Sequence, residues 1–422
     1  QTALWSIETL PSTLRLVIST FNGLIGDDER RWAILFDELE IAPKSVKDFV
    51  LSGIRSFDSR LVIKLAIAPY MDDAGLDASP TSAHAYHDFN TVQLSYANKE
   101  DAKVFTHELV TNTFAKFGLL PDSLPAVFAS PNETRAFGRR SAGGRTSRTV
   151  PAEFDALAKK DDSFRDYIEK RKIHADALGA DEKTWAKDVR KVMPIVLLRD
   201  YYIKSFKGKA SVDRSRKSYA LYTGYPSILE ITEGNPRAIL TLAGPLAQKF
   251  ASDARNSPTV RTISSSAQSD AVARVEFLLT SLLRVIPVDL GGPQVANGLL
   301  GFIDKLGRSF EDRVLKAPFS PDYVSSFILD ENVSPAVVAA VGRGLNAGAL
   351  VHIPFSDGGQ DSLLRGLRSQ RYRLSYALAA RYRLLLTLGG HITLSKLLLE
   401  SQDGPMLAQQ SSLFDREEQS DD

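Results

Sequence analysis

Two short apolar runs separated by one helical segment constrain this chain more than any other feature. "WAILF" (32–36) and "LVIKLAIAP" (61–69) are too short for core helices and rich in branched and aromatic side chains. Between them "PKSVKDFVLSGIRSF" reads as a helix. Strand, helix, strand at this spacing argues for a doubly wound α/β unit, in which parallel strands are covered on both faces. Both runs are therefore expected to be buried on both sides. Ahead of them, in "LPSTLRLVISTFNGLIG", Leu14, Val17, Ile18, Phe21, Leu24 and Ile25 recur at helical spacing after a Ser12 cap, Gly26 closes the pattern, and one face is expected to be buried. Behind them "FNTVQLSYA" reads as extended and "KEDAKVFTHELVTNTFAKFG" as a helix.

From Pro125 onward strand signals nearly vanish and the chain becomes mostly helical, with "GRRSAGGRTSR" as a loop and an acidic, polar tail from residue 401. The expected fold class is α/β plus α. Bulk charge identifies no partner: 52 basic against 51 acidic side chains leave a net charge of +1, so any electrostatic footprint is local. Cysteine is absent, which excludes disulfides, thiolate metal sites and a cysteine nucleophile, and suits a cytoplasmic setting. No apolar run approaches the roughly 18 residues of a membrane span.

Candidate chemistry sits where the first strand ends. In an open parallel sheet ligands bind at the carboxyl ends of the strands, and there "WAILF" delivers Asp37 and Glu38. One such carboxylate can hold magnesium directly or through water while its neighbour polarises an attacking water. The plainer alternative is that the pair opens a helix over "ELEIAPKS", where acids favour the positive end of the dipole. A second candidate lies in "ITEGNPRAILTLAG": Gly234, Asn235 and Pro236 make a turn that starts a helix, from which Arg237 projects as a phosphate contact or as an ordinary surface arginine.

A third lies near the end. "SPDYVSSFILDENVSPAVVAAVGRGLNAGALVHIPF" reads as helix, turn, a second helix from Pro335 to about Ala347, and a short strand. After it Arg365, Arg368, Arg371, Arg373, Arg381 and Arg383 fall in a stretch with no acid between Asp361 and Glu400 and with Tyr372, Tyr376 and Tyr382 interleaved. Arginine with tyrosine suits phosphate contact and stacking, and equally a protein interface or a solvated face. The basic run from Lys204 to Ser218 reads as a duplex-tracking loop or a linker. A metal set from His84, His87 and Asp88 or His107 lacks helical pairing and carries little weight.

Taken together these residues carry a resemblance. The strand ending in Asp37-Glu38 resembles a Walker B element, "LVIKLAIAP" a sensor 1 strand, and "EGNPRAIL" the sensor 2 helix of AAA+ ATPases, nearest to the initiator branch of the origin recognition complex family and its bacterial look-alikes. The resemblance implies Asp37 as the magnesium-associated acid, Glu38 as catalytic base, and Arg237 with Asn235 at the nucleotide, with ATP and Mg2+ as cofactors. It implies double-stranded DNA as a partner through a C-terminal winged helix, and a homo-oligomer or partner protein, with no membrane. The domains expected are an AAA+ core over 1–124, a helical lid over 125–250, a helical connector over 251–318, a winged helix over 319–400 and a tail over 401–422. One departure stands out: no G-x-x-x-x-G-K-[ST] occurs in the 422 residues, so the phosphate loop is expected ahead of Gln1 or lost. A hydrolysis-deficient DNA-binding or scaffold protein, and the ATPase subunit of a bacterial defence or mobile-element system, remain the alternatives.

Overall fold

The computed structural model describes residues 10–39, 42–53, 57–68, 70, 90, 92, 99–119, 124–129, 152–173, 182–206, 209–213, 219–257, 262–289, 297–354 and 366–400. The chain divides into two compact units, Gln1–Ser95 with Gly358–Leu367 and Tyr96–Asp357 with Arg368–Asp422.

In the first unit the order is α1 (Leu10–Ile25), β1 (Trp32–Phe36), α2 (Lys44–Gly53) and β2 (Leu61–Leu65). The strands pair in parallel, Trp32 opposite Leu61 through Phe36 opposite Leu65, as the spacing of the apolar runs predicts. Burial departs from expectation. Both strands alternate half-buried and exposed positions, and Leu35 is 72% exposed, so one face of the pair is bare among the described residues. The helix α1 forms over the expected span, yet Ile18 and Asn22 alone are buried in it, while Leu16, Val17, Phe21, Leu24 and Ile25 are exposed. Its link to β1 is polar: the Trp32 indole N–H donates to Asn22 Oδ1 at 2.9 Å, and the Asn22 amide donates to the Arg30 carbonyl at 2.9 Å. Before β2, Asp58 accepts from the Arg60 backbone N–H and from its guanidinium, which holds the Asp58 carboxyl down at about 2.

The second unit contains α3 (Lys99–Ala115), α4 (Leu124–Val127), α5 (Ala152–Ala158), α6 (Asp162–Lys170), α7 (Glu182–Tyr202), the antiparallel pair β3 (Ile203–Phe206) and β4 (Lys209–Val212), α8 (Tyr225–Thr232), α9 (Pro236–Asn256), α10 (Ser265–Val285), α11 (Gly298–Leu315), β5 (Val324–Ile328), α12 (Pro335–Asn346), β6 (Leu350–Ile353), β7 (Arg371–Leu374), β8 (Gly390–Thr393) and α13 (Leu394–Leu399). Helix α9 packs against α3 and α10, and α10 against α11. A buried ion pair ties three helices together. Asp161 caps α6 by accepting from the Ser163 and Phe164 N–H groups, and its other oxygen takes the Arg199 guanidinium, which also donates to the Val314 and Ala317 carbonyls. Every charged oxygen and most donors are thus satisfied, the condition under which a buried pair is tolerated.

Strands are commoner past Pro125 than the sequence suggests. A four-stranded sheet runs in the order β6-β7-β5-β8, antiparallel except for the parallel β5–β8 pair. Residues 324–328, read from sequence as part of a helix, are the strand β5. Helix α12 begins at Pro335 as expected, with Ser334 as its cap. The sheet closes over Phe327, Tyr372 and Leu374, which are buried, and Gly307 on α11 lies under the Tyr382 ring so closely that a Cβ there would sit 2.4 Å from it.

Candidate functional site

At the end of β1 the ladder continues one step, the Ala66 N–H donating to the Phe36 carbonyl at 2.8 Å, and then the chain turns away. Asp37 Oδ1 accepts the Glu38 N–H at 2.9 Å, and Glu38 takes a left-handed backbone, φ 53°. That twist, which a residue other than glycine adopts uncommonly, ends the strand and lets Leu39 turn into the core. Both carboxylates stay exposed beside the end of β2. The turn, rather than the start of a helix, sets their place; α2 begins at Lys44. Among the described residues no group of three acids or histidines could hold a metal. His84, His87 and Asp88 lie outside the described residues, and His107 on α3 hydrogen-bonds through Nδ1 to the Tyr225 hydroxyl.

The "EGNPR" corner joins α8 to α9 in the second unit. Glu233 (φ 49°) and Gly234 (φ 72°) are both left-handed, the Asn235 N–H donates to the Thr232 carbonyl at 2.7 Å, and Asn235 Oδ1 accepts from the Arg237 and Ala238 N–H groups at 3.0 and 3.2 Å. Asn235, expected near a nucleotide, is thus the cap of α9, with Pro236 at its first position, where the missing N–H costs nothing. The Arg237 side chain is exposed at the helix start.

The arginine stretch is placed differently from a free cationic face. Arg368 donates to the Asp330 and Val333 carbonyls, at 2.9 and 3.0 Å. Arg371 donates to Ser326 Oγ and to the Gly389 carbonyl, and burial pulls its pKa down. Arg373 pairs with Glu233 and lies 4.0 Å from the centre of the Tyr376 ring. Burial disfavours its charge, but the Glu233 carboxylate outweighs that and leaves its pKa raised. Arg381 bridges Glu276 on α10 and Asp304 on α11, at 2.8 and 3.2 Å, and Arg383 reaches Glu311 on α11 at 3.0 Å and lies over the Tyr202 ring. Arg365 lies outside the described residues. Arg373, Arg381 and Arg383 fasten the sheet and the turn after it to the helices, while Arg368 and Arg371 brace the sheet and its loops from within. "RYRL" at 371–374 and again at 381–384 signals this in the sequence: in each copy two arginines flank a buried tyrosine.

Among the described residues no helix is long and apolar enough to cross a membrane. The whole chain, compared with protein families, matches the ORC-CDC6-like family model over residues 7–394. The chain belongs to the ORC-CDC6-like family. No curated protein and no solved structure matches it. Membership in the ORC-CDC6-like family brings with it the AAA+ α/β architecture, of which β1, α2 and β2 are the described crossover unit.

Proposed function

We propose that this protein is an initiator-type AAA+ ATPase that couples ATP binding and hydrolysis to DNA binding or to switching of an assembly. The observation that carries the reading is the exposed Asp37-Glu38 pair at the carboxyl end of a parallel strand pair, in a chain of the ORC-CDC6-like family. Asp37 would hold Mg2+, Glu38 would serve as the base toward the attacking water, and Arg237, with its backbone fixed by the Asn235 cap, would contact the nucleotide. Magnesium supplies charge neutralisation at the phosphates when bound. The phosphate loop that would cradle them has no counterpart motif in the 422 residues.

The test is Glu38→Gln in a chain that includes a phosphate loop. Turnover should fall by at least about a hundredfold with ATP affinity retained, as for loss of a general base. Unchanged turnover rejects the assignment.

Support for a winged-helix reading comes from the sheet order β6-β7-β5, with α12 between β5 and β6. A single helix stands between β5 and β6, so the helix-turn-helix expected there is not built from that segment. Double-stranded DNA remains the proposed partner, but each braced arginine would have to leave an internal acceptor to reach a phosphate. The missing phosphate-loop motif favours a second reading, a DNA-binding or scaffold protein of the same fold without turnover, for which an unchanged rate in Glu38→Gln would speak.

A further inference from the structure

We infer that Glu233 is a positioning residue for Arg237, and that the Glu233–Arg373 clasp carries the nucleotide state of Arg237 to the C-terminal sheet. The inference rests on the reading of Arg237 as a nucleotide contact and concerns a residue that reading does not use. Both Glu233 oxygens are engaged. One meets the Arg373 guanidinium; the other accepts from Ser375 Oγ at 2.7 Å and from the Tyr376 N–H at 2.8 Å. Arg373 in turn donates to the Leu374 carbonyl at 3.0 Å and stacks on Tyr376, so the carboxylate, the guanidinium and the ring lock one another. The side chains are 17% and 14% exposed, dry enough for the pair to be rigid and costly to break.

The clasp is made by the corner itself. Glu233 sits in a left-handed conformation that disfavours side chains other than glycine, and such a conformation persists where its surroundings over-determine it, here through three bonds to 373–376. Three residues separate it from Arg237, and Asn235 and Pro236 leave the intervening backbone little freedom. The same corner approaches the C-terminal sheet a second time: a Cβ at Gly348, in the turn from α12 to β6, would lie 3.8 Å from the Asn235 amide nitrogen. An Arg237 drawn toward a phosphate therefore pulls on the end of β7, and the bonded Tyr376 N–H reports it.

The experiment compares the full-length protein with Glu233→Gln and Arg237→Ala. It measures binding of a fluorescent, non-hydrolysable ATP analogue, and amide hydrogen exchange over 371–378 with and without that analogue. In the parent the analogue should slow exchange there at least about fivefold, the low end of ordinary coupling. Glu233→Gln should abolish that change and, by reciprocity, weaken analogue binding by up to about fivefold, which a staple serving stability alone would not do. Arg237→Ala should lose both affinity and the exchange response. An exchange response that survives Glu233→Gln, or a parent with none, overturns the role of Glu233. Unchanged affinity in Arg237→Ala overturns the reading of Arg237 instead, and the inference with it. If Glu233→Gln does not fold, Ser375→Ala removes one of the three bonds, and a full response in that variant likewise overturns the clasp.

Discussion

The two sheets of this protein solve the same problem by opposite means. The parallel pair β1–β2 has half-buried and exposed residues only, and its anchoring is polar and local, Asp58 with Arg60 and Asn22 with Trp32. The β6-β7-β5-β8 sheet buries Phe327, Tyr372 and Leu374, and its anchoring is ionic and distant, through arginines that reach acids 72 to 140 residues away in sequence. A parallel sheet takes its stability from cover on both faces, whereas a mostly antiparallel one can stand with one face open. The difference separates the two kinds of candidate site. Asp37 and Glu38 lie exposed where little is built on them among the described residues; the C-terminal arginines are committed to internal partners.

The sharpest test of that contrast is Arg373→Ala. It leaves the Glu233 carboxylate without its partner in a mostly dry setting and should cost about 3 kcal/mol or more of the second unit's stability, by urea unfolding. Arg60→Ala, at a half-buried pair closed within three residues of chain, should shift the first unit's midpoint less. Equal losses would remove the distinction. A smaller effect comes from the apolar positions. Leu374→Ala should cost about 2–5 kcal/mol through lost burial and a residual cavity, and Leu35→Ala should stay within about 0.5 kcal/mol. A large loss at Leu35 would mean that the bare face of β1 is covered in solution.

The smallest effect is a pH dependence. Burial lowers the His352 pKa from 6.5, against a hydrogen bond with Gln370 that raises it. The unfolded chain takes up its proton first, so the contribution is complete above about pH 6.5 and is lost as pH falls toward the depressed folded value. Unfolding midpoints of the parent should fall between pH 7 and 5 relative to those of His352→Gln, and parallel profiles would refute the linkage.

Much of the scaffold could be read from the chain. The alternation of apolar run, helix and apolar run identifies β1, α2 and β2, and proline at 335 after a serine marks the start of α12. What an apolar run cannot say is whether anything covers it, so "WAILF" looks doubly buried though Leu35 is not. Tyr323, Val324, Phe327 and Ile328 have helical spacing, and only their pairing with β7 and β8 makes 324–328 a strand. The site was legible in its positions rather than its partners. Asp37 and Glu38 fall at the end of β1 and Arg237 at the start of α9, as expected. In the sequence the arginines form a patch because Glu233, Glu276, Asp304 and Glu311 lie far off in the chain, and local charge counting sees only the cations.

The close approach of Gly307 to Tyr382 has a use in genetics. Adding one methyl group at that point, Gly307→Ala, presses on the ring whose hydroxyl donates to Asp304 beside Arg381, so the lesion strikes the helix-to-sheet fastening without touching Asp37, Glu38 or Arg237. An overpacking cost of about 1–3 kcal/mol is borne at low temperature and not at high. Such an allele is a thermal switch on the second unit, able to separate in a living cell what that unit does from what the acid pair does.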